Sequence, residues 1–170
     1  AYMIRLLDER FRLNIGIPEM ERYAAKLGAD CAFFITADPS YAEGIGDVLM
    51  PADVPGAGLG GYYLAVVKPS VAVSTRDAYA AIVPKTPTKC CRDIVRQPIE
   101  TWKDELVNDF EAPIFAMHPE LAAIKLSLYD AGAVYAAMSG SGSALFGIFR
   151  EQPTDLEKKF EGMFCQVMKL

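Results

Sequence analysis

A loop of serine and glycine residues between two apolar runs offers the clearest chemistry in the sequence. It consists of Ser139, Gly140, Ser141, Gly142 and Ser143. Glycine lets a ligand approach the backbone closely, and serine hydroxyls and consecutive amides can donate hydrogen bonds to an anion. The same composition is ordinary for a hairpin turn, and no lysine follows the glycines as it does in a Walker A loop. The pattern therefore indicates a tight turn or an anion site.

A carboxylate at position 30 is the second candidate. Asp30 comes shortly after Gly28, where a predicted helix ends, and directly before the apolar run of residues 31–35, which has the composition of a strand. The position suits a turn aspartate, which the sequence pattern by itself favours. The alternative is a general base that accepts a proton from a substrate hydroxyl.

A third group lies on a predicted helix over residues 75–83. Ser74 suits its N-cap, and Asp77 suits the positive end of its dipole. Thr75 and Tyr79 are four residues apart, so both side chains lie on one face and could meet one ligand. Equally, Thr75 could be an ordinary first-turn residue and Tyr79 a core aromatic.

The elements that must position these residues follow from periodicity and breakers. Two helices over 1–13 and 18–27 precede a hairpin of residues 31–35 with 42–50, and a linker spans 51–61. Further on, the pattern predicts strands over 62–67, 133–137, 144–149 and 164–168, with helices between them. This order predicts an α+β fold in which a ferredoxin-like antiparallel sheet carries a layer of helices. We predict two domains, 1–58 and 59–170.

Composition excludes several classes of protein. Just over half of the 170 residues are hydrophobic and the formal net charge is −5, so a globular core is expected and a nucleic-acid surface is not. The four cysteines, at 31, 90, 91 and 165, form no CxxC pair, and His118 is the single histidine, so no zinc site is predicted. No apolar run approaches the length of a membrane span, and we expect a cytoplasmic protein.

Four stretches together resemble the GHMP small-molecule kinases. Residues 138–147, MSGSGSALFG, resemble the third signature motif of that family, and residues 27–34, LGADCAFF, resemble its LGADxPFF segment. Residues 68–79, KPSVAVSTRDAY, and 108–111, NDFE, resemble two further segments of the branch that phosphorylates a cytidine diphosphate sugar alcohol in non-mevalonate isoprenoid biosynthesis. One departure is Ala32, which stands where the family usually has proline.

The resemblance implies an ATP-dependent kinase with Mg²⁺. By correspondence with the motifs, Asp30 would be the catalytic base and the loop of residues 139–143 would line the phosphates and the substrate. Thr75 would lie near the substrate, and Tyr79 would stack on its cytosine. Residues 108–111 could equally cap the following helix.

The first and second family motifs have no counterpart in this sequence, and the chain opens with helical spacing. We therefore expect the C-terminal portion of such a kinase, inactive by itself. Two alternatives stay open, namely a homoserine- or mevalonate-type kinase of the same superfamily, and a non-catalytic ferredoxin-like ligand-binding or regulatory module.

Overall fold

The computed structural model describes residues 1–52, 54 and 58–170. The chain separates into two compact units, Ala1–Asp53 and Val54–Leu170. Part of the predicted linker, at 53 and 55–57, lies outside the described residues, and the predicted domain boundary at residue 58 stays a prediction.

The first unit contains two helices and a hairpin. Its elements are α1 (Tyr2–Phe11), α2 (Ile17–Ala25), β1 (Ser40–Glu43) and β2 (Val48–Pro51). Pro18 lies in the first turn of α2, where its missing amide hydrogen costs nothing. Met20 and Ala24 of α2 are buried with Ile35 in a small core.

Residues 31–35 do not form the predicted strand. They form two 3₁₀ turns, Ala29–Cys31 and Phe33–Ile35, in which the amides of Cys31 and Ile35 donate to the carbonyls three residues earlier. The buried residues of this run, Ala32 and Ile35, are three apart, which is a helical spacing. A short apolar run does not distinguish a strand from a buried helical turn. The strand that pairs with β2 is β1, in the register Ser40 to Pro51.

The second unit is built on a four-stranded antiparallel sheet. Its strands are β3 (Tyr63–Lys68), β4 (Tyr135–Met138), β5 (Leu145–Phe149) and β6 (Phe164–Lys169). Its helices are α3 (Thr75–Ala81), α4 (Cys91–Ile94), α5 (Trp102–Glu105), α6 (Glu111–Met117), α7 (Pro119–Asp130) and α8 (Leu156–Lys159). The strand order is β4-β5-β3-β6, which with this connectivity is the ferredoxin-like arrangement predicted from the sequence.

Helix α7 shows why one face of the sheet is covered. Pro119 starts it, and Leu121, Ile124 and Leu128 form a buried stripe against β4 and β5. Along β4, Ala136 and Met138 join this core, whereas Tyr135 and Ala137 point to the opposite face.

The opposite face of the sheet is also covered. There Ile94, Ile99 and Trp102 pack with Tyr135 of β4, so the segment of α4 and α5 forms a second cover. The sequence left residues 88–103 without a firm prediction. All four residues of β4 are buried, which places the loop after it on a strand held from both sides.

No helix in the described part of the chain is both long and apolar enough to cross a membrane.

Candidate functional site

The serine and glycine loop connects β4 to β5 in the second unit. The amide of Ser139 donates to the Ala144 carbonyl at 2.8 Å, and the amide of Gly142 donates to the Ser139 carbonyl at 3.0 Å. Among the hydrogen bonds of the described residues, none uses the amides of Gly140 and Ser141. Two backbone donors and two accessible hydroxyls, those of Ser139 and Ser141, are therefore available to an anion.

Ser143 fixes the far end of this loop. Only 2% of its surface is exposed, and its hydroxyl donates to the Val71 carbonyl. The hydroxyl also accepts from Lys68 Nζ at 3.0 Å. Ser143 is therefore a buried anchor, and its donor is not free for a ligand.

Lys68 was not singled out by the sequence. It is the last residue of β3, and the pairing of Val67 with Leu145 brings that strand end beside the loop although the two are far apart in sequence. Its ammonium also donates to the Pro69 carbonyl at 3.3 Å. The pairing of the strands thus places the positive charge of Lys68 next to the loop. This proximity cannot be seen in the sequence.

Thr75 and the loop meet directly. Ser74 caps α3 as predicted, since its hydroxyl accepts from the Asp77 amide at 3.3 Å. One residue on, Thr75 Oγ1 lies 3.3 Å from Ser141 Oγ. The first turn of α3 and the serine and glycine loop therefore share one surface.

Tyr79 is not a core aromatic. Its surface is 66% exposed, and its ring contacts Phe110 edge-on with 5.0 Å between the ring centroids. Phe110 belongs to the NDFE segment, so the segments 68–79 and 108–111, which were considered separately in the sequence, are in contact in the structure. An exposed ring held by a neighbouring ring can stack on a planar ligand.

The NDFE segment also holds the loop. Asn108 Nδ2 donates to the carbonyls of Met138 and Gly140, each at 2.8 Å, and Asn108 Oδ1 accepts from the Phe110 amide at 3.0 Å. Capping of the next helix was one of the two roles left open for this segment, but the N-cap residue of α6 is Phe110, and no side chain accepts a capping hydrogen bond there. The contacts of Asn108 with the loop were not foreseen.

Glu111 supports the loop from beneath. It is 6% exposed, its Oε1 accepts from the Met138 amide at 2.8 Å, and its Oε2 pairs with Lys125 Nζ at 2.6 Å. A buried carboxylate needs such compensation, because desolvation disfavours its charge. Burial, followed by the Glu111 carboxylate, raises the pKa of Tyr135 on β4, whose hydroxyl donates to the Leu106 carbonyl.

Asp30 lies in the first unit and is exposed. It borders an open cavity of about 340 Å³ that Phe33, Phe34 and Leu49 line together with Ser40, Ala42 and Gly46. A Cβ atom at Gly46 would come within 3.7 Å of Asp30 Oδ1, so the hairpin backbone passes close to the carboxylate. The carboxylate thus stands at the edge of a mostly apolar cavity and can accept a proton from a bound hydroxyl.

Similar proteins agree with this arrangement of segments. Residues 92–169 match the family described as GHMP kinases C terminal. This part of the chain is therefore similar to the C-terminal domain of GHMP kinases. The match covers β4, the serine and glycine loop and β5 in full.

Curated relatives extend the likeness beyond that domain. The chain is 47% identical over 165 residues to a 4-diphosphocytidyl-2-C-methyl-D-erythritol kinase of Bacteroides fragilis, covering 97% of this chain and 59% of the relative. It is 45% identical over 159 residues to the Parabacteroides distasonis protein of the same name, covering 94% and 57%. The chain thus spans less than two thirds of the length of these GHMP kinases and corresponds to their C-terminal part.

Two solved structures share the fold. A 4-(cytidine 5'-diphospho)-2C-methyl-D-erythritol kinase superposes with a TM-score of 0.72 at 23% identity, covering 97% of this chain and 61% of that one. A homoserine kinase from Cytophaga hutchinsonii superposes with a TM-score of 0.63 at 14% identity, covering 95% and 60%. The fold of these two kinases therefore extends over nearly all of the chain.

Proposed function

We propose that this chain supplies the acceptor side of an ATP-dependent kinase for 4-diphosphocytidyl-2-C-methyl-D-erythritol. The observation that carries the proposal is the identity of 47% over 97% of the chain to a kinase named for that substrate. The exposed Tyr79 ring beside the serine and glycine loop supports it, because a cytidine diphosphate presents a flat base and an anionic group together. The product would serve isoprenoid biosynthesis in the cytoplasm.

Asp30 is the base in this proposal. It accepts the proton of the acceptor hydroxyl as the hydroxyl oxygen forms a bond to the γ-phosphorus of ATP. The bond from that phosphorus to the bridging oxygen breaks, and ADP leaves with the electron pair. Phosphoryl transfer depends mainly on position and charge, so a modest base suffices.

The loop receives phosphate oxygens in this proposal. The amides of Gly140 and Ser141 and the hydroxyls of Ser139 and Ser141 donate to them, while Gly142 and Ser143 shape the loop. Lys68, held beside the loop by Ser143, adds a positive charge that favours anions.

Helix α3 orients the substrate in this proposal. Thr75 directs its hydroxyl toward Ser141 and lies where the sugar alcohol passes the loop, and Tyr79 stacks on the cytosine. The two side chains act on one ligand because they share a helix face.

Mg²⁺ is proposed as the partner of ATP. Among the described residues no three His, Cys, Asp or Glu side chains come together as a metal site. In this proposal the magnesium ion would be held chiefly by nucleotide phosphates and water, as is usual for this ion. When bound, the ion neutralises charge on the phosphates.

A comparison of acceptors tests this function. We suggest a chimera that joins the part of the Bacteroides fragilis relative preceding the match to this chain, hereafter the chimeric enzyme. With ATP and Mg²⁺ it should phosphorylate 4-diphosphocytidyl-2-C-methyl-D-erythritol, seen as a new phosphomonoester by ³¹P NMR. Homoserine and mevalonate should not react. Preference for either of these acceptors would replace the proposed substrate with that of another GHMP kinase.

A further inference from the structure

One asparagine contacts both parts of the proposed site in the second unit. Asn108 uses both kinds of group on its amide, because Nδ2 donates to two carbonyls at the start of the loop and Oδ1 accepts from the Phe110 amide. The side chain is only partly buried, so its place is not dictated by packing alone. An asparagine whose amide nitrogen and amide oxygen both form hydrogen bonds fixes the positions of the groups that it contacts.

The two contacts lead to different parts of the surface. The carbonyls of Met138 and Gly140 belong to the strand end and the loop proposed to receive phosphate. The Phe110 backbone, by contrast, carries the ring that meets Tyr79 edge-on at 5.0 Å with an interplanar angle of 79°. Tyr79 has no other ring contact among the described residues, so Phe110 orients it.

We propose that Asn108 is a positioning residue that sets the distance between the phosphate loop and the Tyr79 ring. This rests on the proposed function only in naming the ligand, a cytidine diphosphate whose base and phosphates span those two parts. In a ligand of this kind the ribose limits the distance between the base and the diphosphate. A residue bonded to both parts therefore favours it over ligands with another spacing.

Two substitutions separate the two contacts. Asn108→Asp preserves size and the acceptor for the Phe110 amide, but it replaces the two donated hydrogen bonds with repulsion from the carbonyls. Asn108→Ala removes both contacts. The matched control is Asn14→Asp, the same chemical change at an exposed asparagine of the first unit, whose side chain donates to the Arg12 carbonyl.

Spectra of the 170-residue chain labelled with ¹⁵N and ¹³C test the geometry without any ligand. Asn108→Asp should shift the Gly140 and Gly142 amide resonances and leave the Tyr79 ring resonances nearly unchanged. In Asn108→Ala both sets should shift, and in Asn14→Asp neither. If Asn108→Ala leaves either set unchanged, Asn108 does not join the two parts and the proposal is overturned.

Titration with cytidine 5'-diphosphate then tests the consequence. The dissociation constant should rise about tenfold in Asn108→Ala, within the range for loss of a stacked base. In the double variant with Asn108→Ala and Tyr79→Ala, the dissociation constant should rise by less than the product of the two single increases, because both substitutions remove the same stacking interaction. Multiplicative effects would overturn the positioning role. If the unaltered chain does not bind cytidine 5'-diphosphate, the substrate assignment fails, and the ligand-free spectra still decide the role of Asn108.

Discussion

The surroundings of Tyr79 in the structure decide between two roles that its spacing in the sequence left open. By its spacing it could be a core aromatic or a ligand contact. In the structure it is 66% exposed and touches Phe110, which lies 31 positions further along the chain. Little apolar surface is therefore removed from water at this ring, and its truncation should affect a ligand more than folding.

Removal of the Tyr79 ring should weaken binding of the cytidine substrate selectively. In the chimeric enzyme we expect Tyr79→Ala to raise KM for that substrate by about one to two decades, the equivalent of roughly 1–3 kcal/mol of base stacking. KM for ATP and the melting temperature should change little. Tyr79→Phe retains the ring and should behave like the parent. Equal damage to both KM values with a lowered melting temperature would return Tyr79 to a structural role.

At the scale of elements, the hairpin of β4, loop and β5 is the best determined part of the site. Gly142 has φ of +91°, and a Cβ atom there would lie 2.7 Å from Met138 Sδ. Met138 is 2% exposed and has little room to move aside. The loop conformation thus depends on a glycine at this position for two reasons, backbone angle and space.

Gly142→Ala should destabilise the chain more than a glycine change without the steric conflict. The control is Gly132→Ala, since Gly132 has a similar φ of +96° with no atom within 4 Å of the added Cβ. We expect Gly142→Ala to lower the free energy of unfolding by about 1–3 kcal/mol beyond the control, as overpacking does. Urea denaturation measures both. Equal losses would mean that Met138 yields and that the backbone angle alone matters.

The ion pair beneath the hairpin offers a second test at this scale. Glu111→Ala leaves the Met138 amide without its acceptor and Lys125 without its partner, so we expect a loss of about 3 kcal/mol in unfolding free energy. Glu111→Gln retains the acceptor and should lose less. Glu19→Ala, which breaks the exposed pair with Arg22, serves as the control and should change stability little. If Glu111→Ala leaves the free energy of unfolding unchanged, the ion pair does not stabilise the hairpin.

Elements with strong local signals were predictable from the sequence. The N-cap at Ser74, the proline start of α7 and the strands on either side of the loop are confirmed, because caps, breakers and apolar runs act within a few residues. The predicted strand at 31–35 was wrong, because such a short apolar run fits either structure.

Contacts between residues that are far apart in the sequence could not be predicted. Lys68 and Ser143 are 75 positions apart, and Asn108 and Gly140 are 32 apart. Their contacts depend on the order and register of the strands. The sequence linked the third motif with the segments 68–79 and 108–111 through their common resemblance to the GHMP kinases.

For the whole molecule, the GHMP fold and the named relatives bear on different questions. The superpositions with two kinases of different substrates show the fold, whereas the proposal of a cytidine substrate rests on the curated relatives. The central claim is that this chain contributes the catalytic base through Asp30, in the first of its two compact units.

The most direct test of that claim is the turnover of Asp30→Asn in the chimeric enzyme. Asparagine preserves the volume and removes the basicity, so kcat should fall by roughly 10²- to 10⁴-fold while KM for the cytidine substrate changes little. Asp38→Asn, at an exposed aspartate of the same unit, is the matched control and should retain the parent kcat. A kcat for Asp30→Asn within a few-fold of the control would contradict the account and leave Asp30 as a turn residue.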